Sequence, residues 1–376
     1  MKLIHLSDLH LGKRVNEFSM VEDQRYILKQ ILKIMDEEQP DGVIIAGDVY
    51  DKSIPSVEAV ELFDMFLGSL ADRKLQVFVI SGNHDSAERL AFASGLIERS
   101  GIHISPVYDG QVSGIEMQDA YGPVKIYLLP FVKPSHVRNV FPQEEIVSYT
   151  DAVQVAINHM DVDTGVRNIL VTHQFVTGAE RSDSEEISVG GSDNVDASVF
   201  AAFDYVALGH IHGPQRIGRD TIRYCGTPLK YSFSEARHQK SVTVVELQQK
   251  GSVLLRTVEL QPRHDMRELR GTYHELTSRE NYEGTAVDDY IHITLTDEED
   301  EPDAIAKLRT IYPNLMKLDY DNKRTRAGMV IGEVNETKRC SPIELLQEFY
   351  ELQNNQPMNE AQVSFASSLI AKIWEG

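Results

Sequence analysis

The chain has 376 residues, 37 Lys and Arg against 58 Asp and Glu, and a formal net charge of −21. That length is too great for one ordinary core and predicts roughly two domains, and the lack of any apolar stretch of about 18 residues excludes a membrane-spanning helix. Cys225 and Cys340 stand far apart and outside any paired motif, which excludes a disulfide framework and a thiolate zinc site.

The first apolar run, from Met1, is too short for a signal peptide and meets Asp8 and His10 at once, so a soluble, cytosolic protein with no membrane partner is expected. Residues 263–376 hold 22 acids and 13 bases, and residues 1–262 hold 36 acids and 24 bases, so neither part is a basic binding domain. A polyanionic substrate would need local patches, bound divalent cations or a partner to supply the positive field. Lys13-Arg14 and Lys323-Arg324-Thr325-Arg326 are the visible patches.

Five short apolar runs each end in residues able to hold a metal. Leu3 to Ser7 precedes Asp8 and His10, Gly42 to Gly47 precedes Asp48, and Val77 to Ile80 precedes Asn83. Ile169 to Val171 precedes His173, and Tyr205 to Leu208 precedes His210 and His212. Such runs, bounded by glycine and separated by helical stretches, predict buried strands of α/β units. Open α/β sheets build sites at the carboxyl ends of their strands, so one rim should gather these side chains. Residues 21–38 set Ile27, Ile31, Ile34 and Met35 at helical spacing, and Pro40 ends that helix. Val57 to Leu70 repeats the pattern, with Val57, Val60, Phe63, Phe66 and Leu67 expected on one face. This alternation predicts a largely parallel start to the sheet, with right-handed crossovers.

Residues 102–132 are expected to form shorter strands of a second sheet, followed by a helix near 145–160 and the His173 strand. Residues 174–197, rich in Gly, Ser, Asp and Glu, predict a long mobile loop beside the site. The His210/His212 strand and two more, near 221–225 and 241–247, complete a first domain placed at 1–262. Alternation over 290–296, a helix near 303–312 and a strand at 314–320 predict a small α+β domain at 263–338. Residues 339–376 hold two amphipathic helices, one offering Ile343, Leu346, Phe349 and Tyr350 and the other Val363, Ala366, Ile370 and Ile373. They pack on their own domain or dock a partner.

Asp8 and His10 lie two residues apart, so extended backbone would point them the same way, and His210 and His212 repeat the spacing. With Asp48, Asn83 and His173 they make seven nitrogen and oxygen ligands, too many for one tetrahedral zinc and suited to two metals bridged by a carboxylate. Imidazole mixed with carboxylate and amide oxygen suits Mn²⁺ or Fe²⁺, leaves Zn²⁺ open, and disfavours Ca²⁺ or Mg²⁺ alone. His84 directly follows Asn83, so its ring can meet a phosphate held there without being spent on metal; it is the candidate catalytic group. Asp85 either orients His84 or caps the helix that follows.

Asp8-Leu9-His10, Gly47-Asp48, Gly82-Asn83-His84-Asp85, His173 and Gly209-His210-Ile211-His212 resemble the signature of the calcineurin-like metallophosphoesterase family. The longer strings SDLHLGKR, AGDVYDKSIPS, SGNHDSAERLAF, VALGHIHGPQ and YCGTPLKYSFSE resemble its branch of DNA-repair nuclease subunits. That likeness runs over residues 1–247 and, through YPNL and SPIELLQEFYE, more weakly beyond. It implies an α/β fold of two facing mixed β-sheets flanked by helices, with a small α+β C-terminal capping domain. It implies two manganese ions, one held by Asp8, His10, Asp48 and His212 and the other by Asp48, Asn83, His173 and His210. His84 would act on the leaving group or transition state.

The implied activity is ATP-dependent 3′→5′ exonuclease cleavage of duplex DNA and endonuclease cleavage of single strands or hairpins. The implied assembly is a homodimer within a heterotetramer with an ATPase subunit, cytoplasmic and nucleoid-associated. The chain has no GxxxxGK[ST] loop, so ATP dependence would come from that partner. One position departs from the pattern: archaeal and eukaryotic relatives carry a second active-site histidine where this chain has Asp51. Asp51, Asp85, Arg89, Lys13 and Arg14 are the candidates for touching substrate or supporting the ligands.

Two other readings stand beside this one. A phosphoprotein phosphatase or cyclic-nucleotide phosphodiesterase shares the metals, but the phosphatase branch reads Gly-Asp-x-Val-Asp-Arg-Gly where this chain reads Gly47-Asp48-Val49-Tyr50-Asp51-Lys52-Ser53. A non-catalytic scaffold is opposed by the intact ligand set and His84.

Overall fold

The computed structural model describes residues 1–185, 193–323, 325, 342–354 and 356–374, and it divides into two compact units, Met1–Asp265 and Met266–Gly376. Arg324, Arg326 and Cys340 lie outside the described residues, as do residues 186–192 of the Gly- and Ser-rich loop. Among the described residues no helix is long and apolar enough to cross a membrane.

The first unit holds two six-stranded mixed sheets. One runs in space Val253–Glu259, Ser241–Leu247, Lys2–Leu6, Gly42–Ala46, Gln76–Ile80, Ile102–Ile104, with the last four parallel. The other runs Gln215–Ile217, Arg219–Tyr224, Tyr205–Gly209, Arg167–His173, Gly122–Leu129, Ile115–Asp119, with its four inner strands parallel and both edges antiparallel. Side chains alternate across a strand, and one set from each sheet meets in a shared core. Leu3, Ile44, Ala46, Phe78 and Ile80 pack there with Val124, Ile126, Ile169, Val171, Tyr205 and Ala207. The alternate set, Ile4, Val43, Ile45, Val77 and Val79, is also fully buried. Burial on both faces is why these strands read as continuous apolar runs.

The second sheet's other face, with Leu170, Val206 and Leu208, packs in one core with Ala152, Val153, Ala156 and Ile157 of the Tyr149–Asn158 helix. Ser148 starts that helix by accepting from the Asp151 N–H while Asp151 accepts from Ser148.

Three expectations need correction. Ile102–Ile104 is the edge of the first sheet, with Ile102 beside Val77, and the second sheet begins at Ile115. The helical turns Ser94–Ile97 and Glu98–Ser100 return the chain for one more parallel crossover, and a three-residue strand carries too little pattern to disclose its sheet. In the Val57–Asp72 helix the buried residues are Ala59, Leu62, Phe63, Phe66 and Leu70, while Val57 and Val60 are 70% and 44% exposed. At roughly 100° per residue, those two valines sit far around the axis from Phe66. The strands Val253–Glu259 and Met266–Gly271, half exposed and charged, were not expected at all.

The second unit has a parallel sheet of Met266–Gly271, Tyr290–Leu295 and Leu315–Tyr320, with Tyr290–Leu295 in the middle. Ile291, Ile293 and Leu295 pack with Ala304, Leu308 and Tyr312. The helices Pro342–Asn354 and Glu360–Trp374 touch each other, and Gln362 Nε2 donates to the Tyr350 hydroxyl at 2.9 Å.

Candidate metal centre

The candidate ligands sit just past, or on the last residue of, their strands, and four of them have an unusual backbone. Asp8, His10, Asp48 and His210 all have positive φ, at 53°, 45°, 49° and 105°. Non-glycine residues there cost on the order of 1–3 kcal/mol each and persist only where surrounding contacts hold them. The contacts are present: Asp8 N–H donates to Gly47 O at 3.0 Å, His10 N–H to Asp48 O at 2.9 Å, and Leu11 N–H to Val49 O at 2.9 Å. His210 N–H lies across both Asp8 carboxylate oxygens, at 3.1 and 3.2 Å. The expected strand alternation at Asp8/His10 and His210/His212 is therefore absent. Left-handed turns, not the pleat, aim these residues.

Glycine makes the convergence possible at two points. A Cβ on Gly209 would meet the Ala46 carbonyl oxygen at 1.8 Å, and one on Gly82 would meet Asp48 Oδ1 at 2.1 Å. At Gly209 the two sheets, and at Gly82 two neighbouring strands of the first sheet, thus approach through backbone that no other residue fits.

Asp48 is the hub. Its Oδ2 is 3.3 Å from His173 Nε2, 3.7 Å from His10 Nε2 and 4.0 Å from His84 Nε2. On one side, Asn83 Oδ1 is 3.0 Å from His173 Nε2 and 2.9 Å from His210 Nδ1. On the other, His10 Nε2 and His212 Nε2 are 3.2 Å apart, with Asp8 in the same group. His173 donates its Nδ1 proton to Ala46 O at 2.9 Å, which leaves Nε2 facing inward.

Burial drives the electrostatics. It pushes Asp8 up to about 6, with the Asp48 charge adding to the rise. Burial acts the same way on Asp48, yet His173, His10 and His84 around it hold it well below the usual carboxylate range. Burial lowers His173, but Asp48 outweighs that and raises the ring to about 9. Burial holds His10 and His210 well below the ordinary imidazole value.

Acceptor atoms at these separations repel one another unless a proton or cation lies between them. Carboxylate, amide oxygen and neutral imidazole are the donor set of a divalent cation site. His210 Nε2 and His10 Nδ1 are buried with no hydrogen-bond partner among the described residues. Three overlapping groups of carboxylate and imidazole atoms, each within 4.8 Å, could hold an ion: Asp8, His10 and His212; Asp8, Asp48 and His173; and His10, Asp48 and His84. The residues fit divalent metals.

The supporting candidates divide. His84 is partly exposed, its N–H donates to Asp48 Oδ1 at 2.9 Å, and its Nδ1 faces the Asp51 carbonyl at 3.1 Å. Asp85 neither touches that ring nor caps a helix; it takes the backbone N–H groups of Gly82, Val49 and Tyr50, and Ser86 caps Ala87–Leu90. Asp51 receives Lys13 Nζ at 2.7 Å, and Lys13 lies over the Tyr231 ring. Arg14 bonds the Glu17 carbonyl within its own hairpin, and among the described residues nothing joins the exposed Arg89 side chain to the cluster.

The residues that support the candidate ligands from behind are not visible in the sequence. Gln24 donates to the carbonyl of His10 at 2.7 Å and to the Tyr231 hydroxyl at 3.0 Å, and Tyr231 donates to Leu9 O at 2.6 Å. Ser184, Glu185, Glu235 and Lys240 surround His212. None carries a local signal, because each is defined by contact across the fold.

Two facing mixed sheets with this donor cluster at their joined rim define a calcineurin-like phosphoesterase, and residues 1–214 match the family model of that description. Residues 262–354 match a model described as type 5 capsule protein repressor C-terminal domain. The SbcD component of the nuclease SbcCD from Staphylococcus epidermidis is 32% identical over 380 residues, covering 99% of each chain. The chain belongs to the SbcD family and is a hydrolase of phosphodiester bonds. Solved structures include a dimetal phosphatase from Danio rerio, 11% identical over 70% of this chain and 98% of that one with TM-score 0.42. A phosphoesterase from E. coli is 12% identical over 69% and 100%, with TM-score 0.28.

Proposed function

We propose that the chain is a manganese-dependent DNA nuclease that works with an SbcC-type ATPase subunit in repair, recombination and replication. The observation that carries this is a pair of donor sets sharing Asp48, with the partly exposed His84 beside both. Asp8, His10, Asp48 and His212 would hold one ion, and Asp48, Asn83, His173 and His210 the other. When bound, two such cations activate water and stabilise charge on the phosphate during in-line displacement. The chain's own residues do the rest.

Asp48 fixes the spacing of the two sets and anchors the His84 backbone. The Asp51 carbonyl fixes the His84 ring through Nδ1, so Nε2 is the atom presented to substrate. A proton held at Nε2 is then in position for the leaving oxygen. Lys13, neutralised by Asp51 but partly exposed, is a candidate for a flanking phosphate.

As the resemblance implies, the chain would act as a 3′→5′ exonuclease on duplex DNA and an endonuclease on single strands and hairpins, with ATP dependence through the partner, as a homodimer within a heterotetramer in the cytoplasm. Exposed Leu346, Phe349, Phe365 and Leu369 on the two C-terminal helices support their docking on the ATPase subunit. A phosphatase role lacks support: the place of a phosphate-clamping arginine holds the exposed Lys52.

The test uses purified protein with Mn²⁺, an SbcC-type ATPase subunit and ATP on end-labelled duplex DNA, a DNA hairpin and an aryl phosphate. Metal-dependent cutting of both DNAs with slow aryl phosphate turnover is expected. Brisk aryl phosphate hydrolysis with intact DNA would refute the assignment.

A further inference from the structure

Behind His212, on the ring edge away from the donor cluster, lies a buried polar chain. His212 Nδ1 is 2.6 Å from Ser184 Oγ, the Ser184 hydroxyl donates to Glu235 Oε1, and that oxygen is 3.6 Å from the same ring nitrogen. Glu235 is fully buried, and its other oxygen takes the ammonium of Lys240, which is 4% exposed. Lys240 spends its remaining donors on the His212 carbonyl at 2.9 Å and Thr227 Oγ1 at 2.7 Å. All three of its N–H groups are thus used, and neither charge is free for substrate. A buried ion pair is weak evidence for stability, because desolvation offsets much of the attraction. The contacts here converge instead on one residue. His212 is reached at its ring through Ser184, at its carbonyl through Lys240, and at its N–H through Glu185 Oε1 at 2.7 Å.

We propose that Glu235, acting through Ser184 and held by Lys240, is a positioning residue that keeps the His212 proton on Nδ1 and its Nε2 lone pair turned into the metal centre. The inference rests on reading His212 as a ligand. A hydroxyl backed by a carboxylate is a strong acceptor for Nδ1–H, and a partner at one ring nitrogen fixes both tautomer and ring orientation. His173 achieves the same with the Ala46 carbonyl. Among the described residues His212 has no such carbonyl at its Nδ1, and the serine and glutamate fill that place.

The test compares Ser184→Ala, the paired change Glu235→Gln with Lys240→Met, and His212→Ala as reference. The paired change removes both charges together, so none is left buried alone, and Ser184→Ala removes the relay without touching the ion pair. Mn²⁺ is titrated and free ion read by electron paramagnetic resonance, and imidazole ¹⁵N signals are recorded on metal-free protein. Both variants should keep one Mn²⁺ equivalent at the unaltered affinity and bind the second roughly 10–100-fold more weakly. The His212 signals should change from a single Nδ1–H tautomer to a mixture. Two equivalents at unaltered affinity with an unaltered tautomer in both variants overturn the relay, provided His212→Ala loses one equivalent. Should His212→Ala also keep both, the ligand assignment itself falls and the relay with it.

Discussion

At the scale of single residues, Asp8, His10, Asp48 and His210 are held by contacts from beyond their own strands. Asp48 illustrates this, with a left-handed backbone, a carbonyl that takes the His10 N–H, and a carboxylate that meets three imidazoles. His84 differs from its neighbours, since it is partly exposed and fixed through a backbone carbonyl. Replacing His84 with Gln should lower manganese-dependent DNA cleavage by about 10²–10⁴-fold. Metal content, measured by elemental analysis after dialysis, should stay at the wild-type value. Loss of metal in that variant would mean that His84 is a ligand, as its grouping with His10 and Asp48 allows. The seven candidate ligands were legible as a group because they follow the ends of five apolar runs. Their directions were not, since positive φ at Asp8, His10, Asp48 and His210 is imposed by hydrogen bonds from distant segments.

At the scale of elements, the centre depends on how closely strand ends from the two sheets approach. Gly209, last residue of Tyr205–Gly209, leaves no room between itself and the Ala46 carbonyl. Gly209→Ala should destabilise the first unit by about 1–3 kcal/mol, the usual range for overpacking, and weaken Mn²⁺ binding at the same time. Denaturant melts and metal titration on one preparation check both; a variant with wild-type values for each would show that the close approach is dispensable.

A second element-scale test lies at the opposite end of the same sheet's strands. Arg167 grips the Asp119 carboxylate, and that bond holds Asp119 well below the usual carboxylate range. A depressed carboxylate contributes stability that is present above the unfolded-state pKa, near 4, and is lost as pH falls through the folded value. The unfolding free energy of wild type over Asp119→Asn should therefore be largest at neutral pH and shrink below about pH 4. A gap that stays constant down the pH series would contradict this.

Element types were readable where burial is two-sided, as in Gly42–Ala46, or where spacing is helical, as in Val21–Glu38. Pattern failed where it was thin. Ile102–Ile104 carries no pattern that discloses its sheet, and Val57 and Val60, though apolar, lie off the buried face of their helix.

At the scale of the whole molecule, charge is the constraint. A protein of net charge −21 repels a polyanion at long range, and Lys323, the described lysine of one basic patch, lines a hollow with Glu298, Glu299 and Asp300. The isolated chain should bind duplex DNA weakly, with affinity falling steeply as salt rises, and should gain affinity when an SbcC-type ATPase subunit is added. Tight salt-resistant binding by the chain alone, read by fluorescence anisotropy, would overturn that division of labour.

Asp48 would be shared by two cations where the sheets meet, and anomalous diffraction from a manganese-soaked crystal tests this most directly. Two peaks are predicted, both against Asp48, one with Asp8, His10 and His212 and the other with Asn83, His173 and His210. A single peak, or two that do not share Asp48, would contradict it.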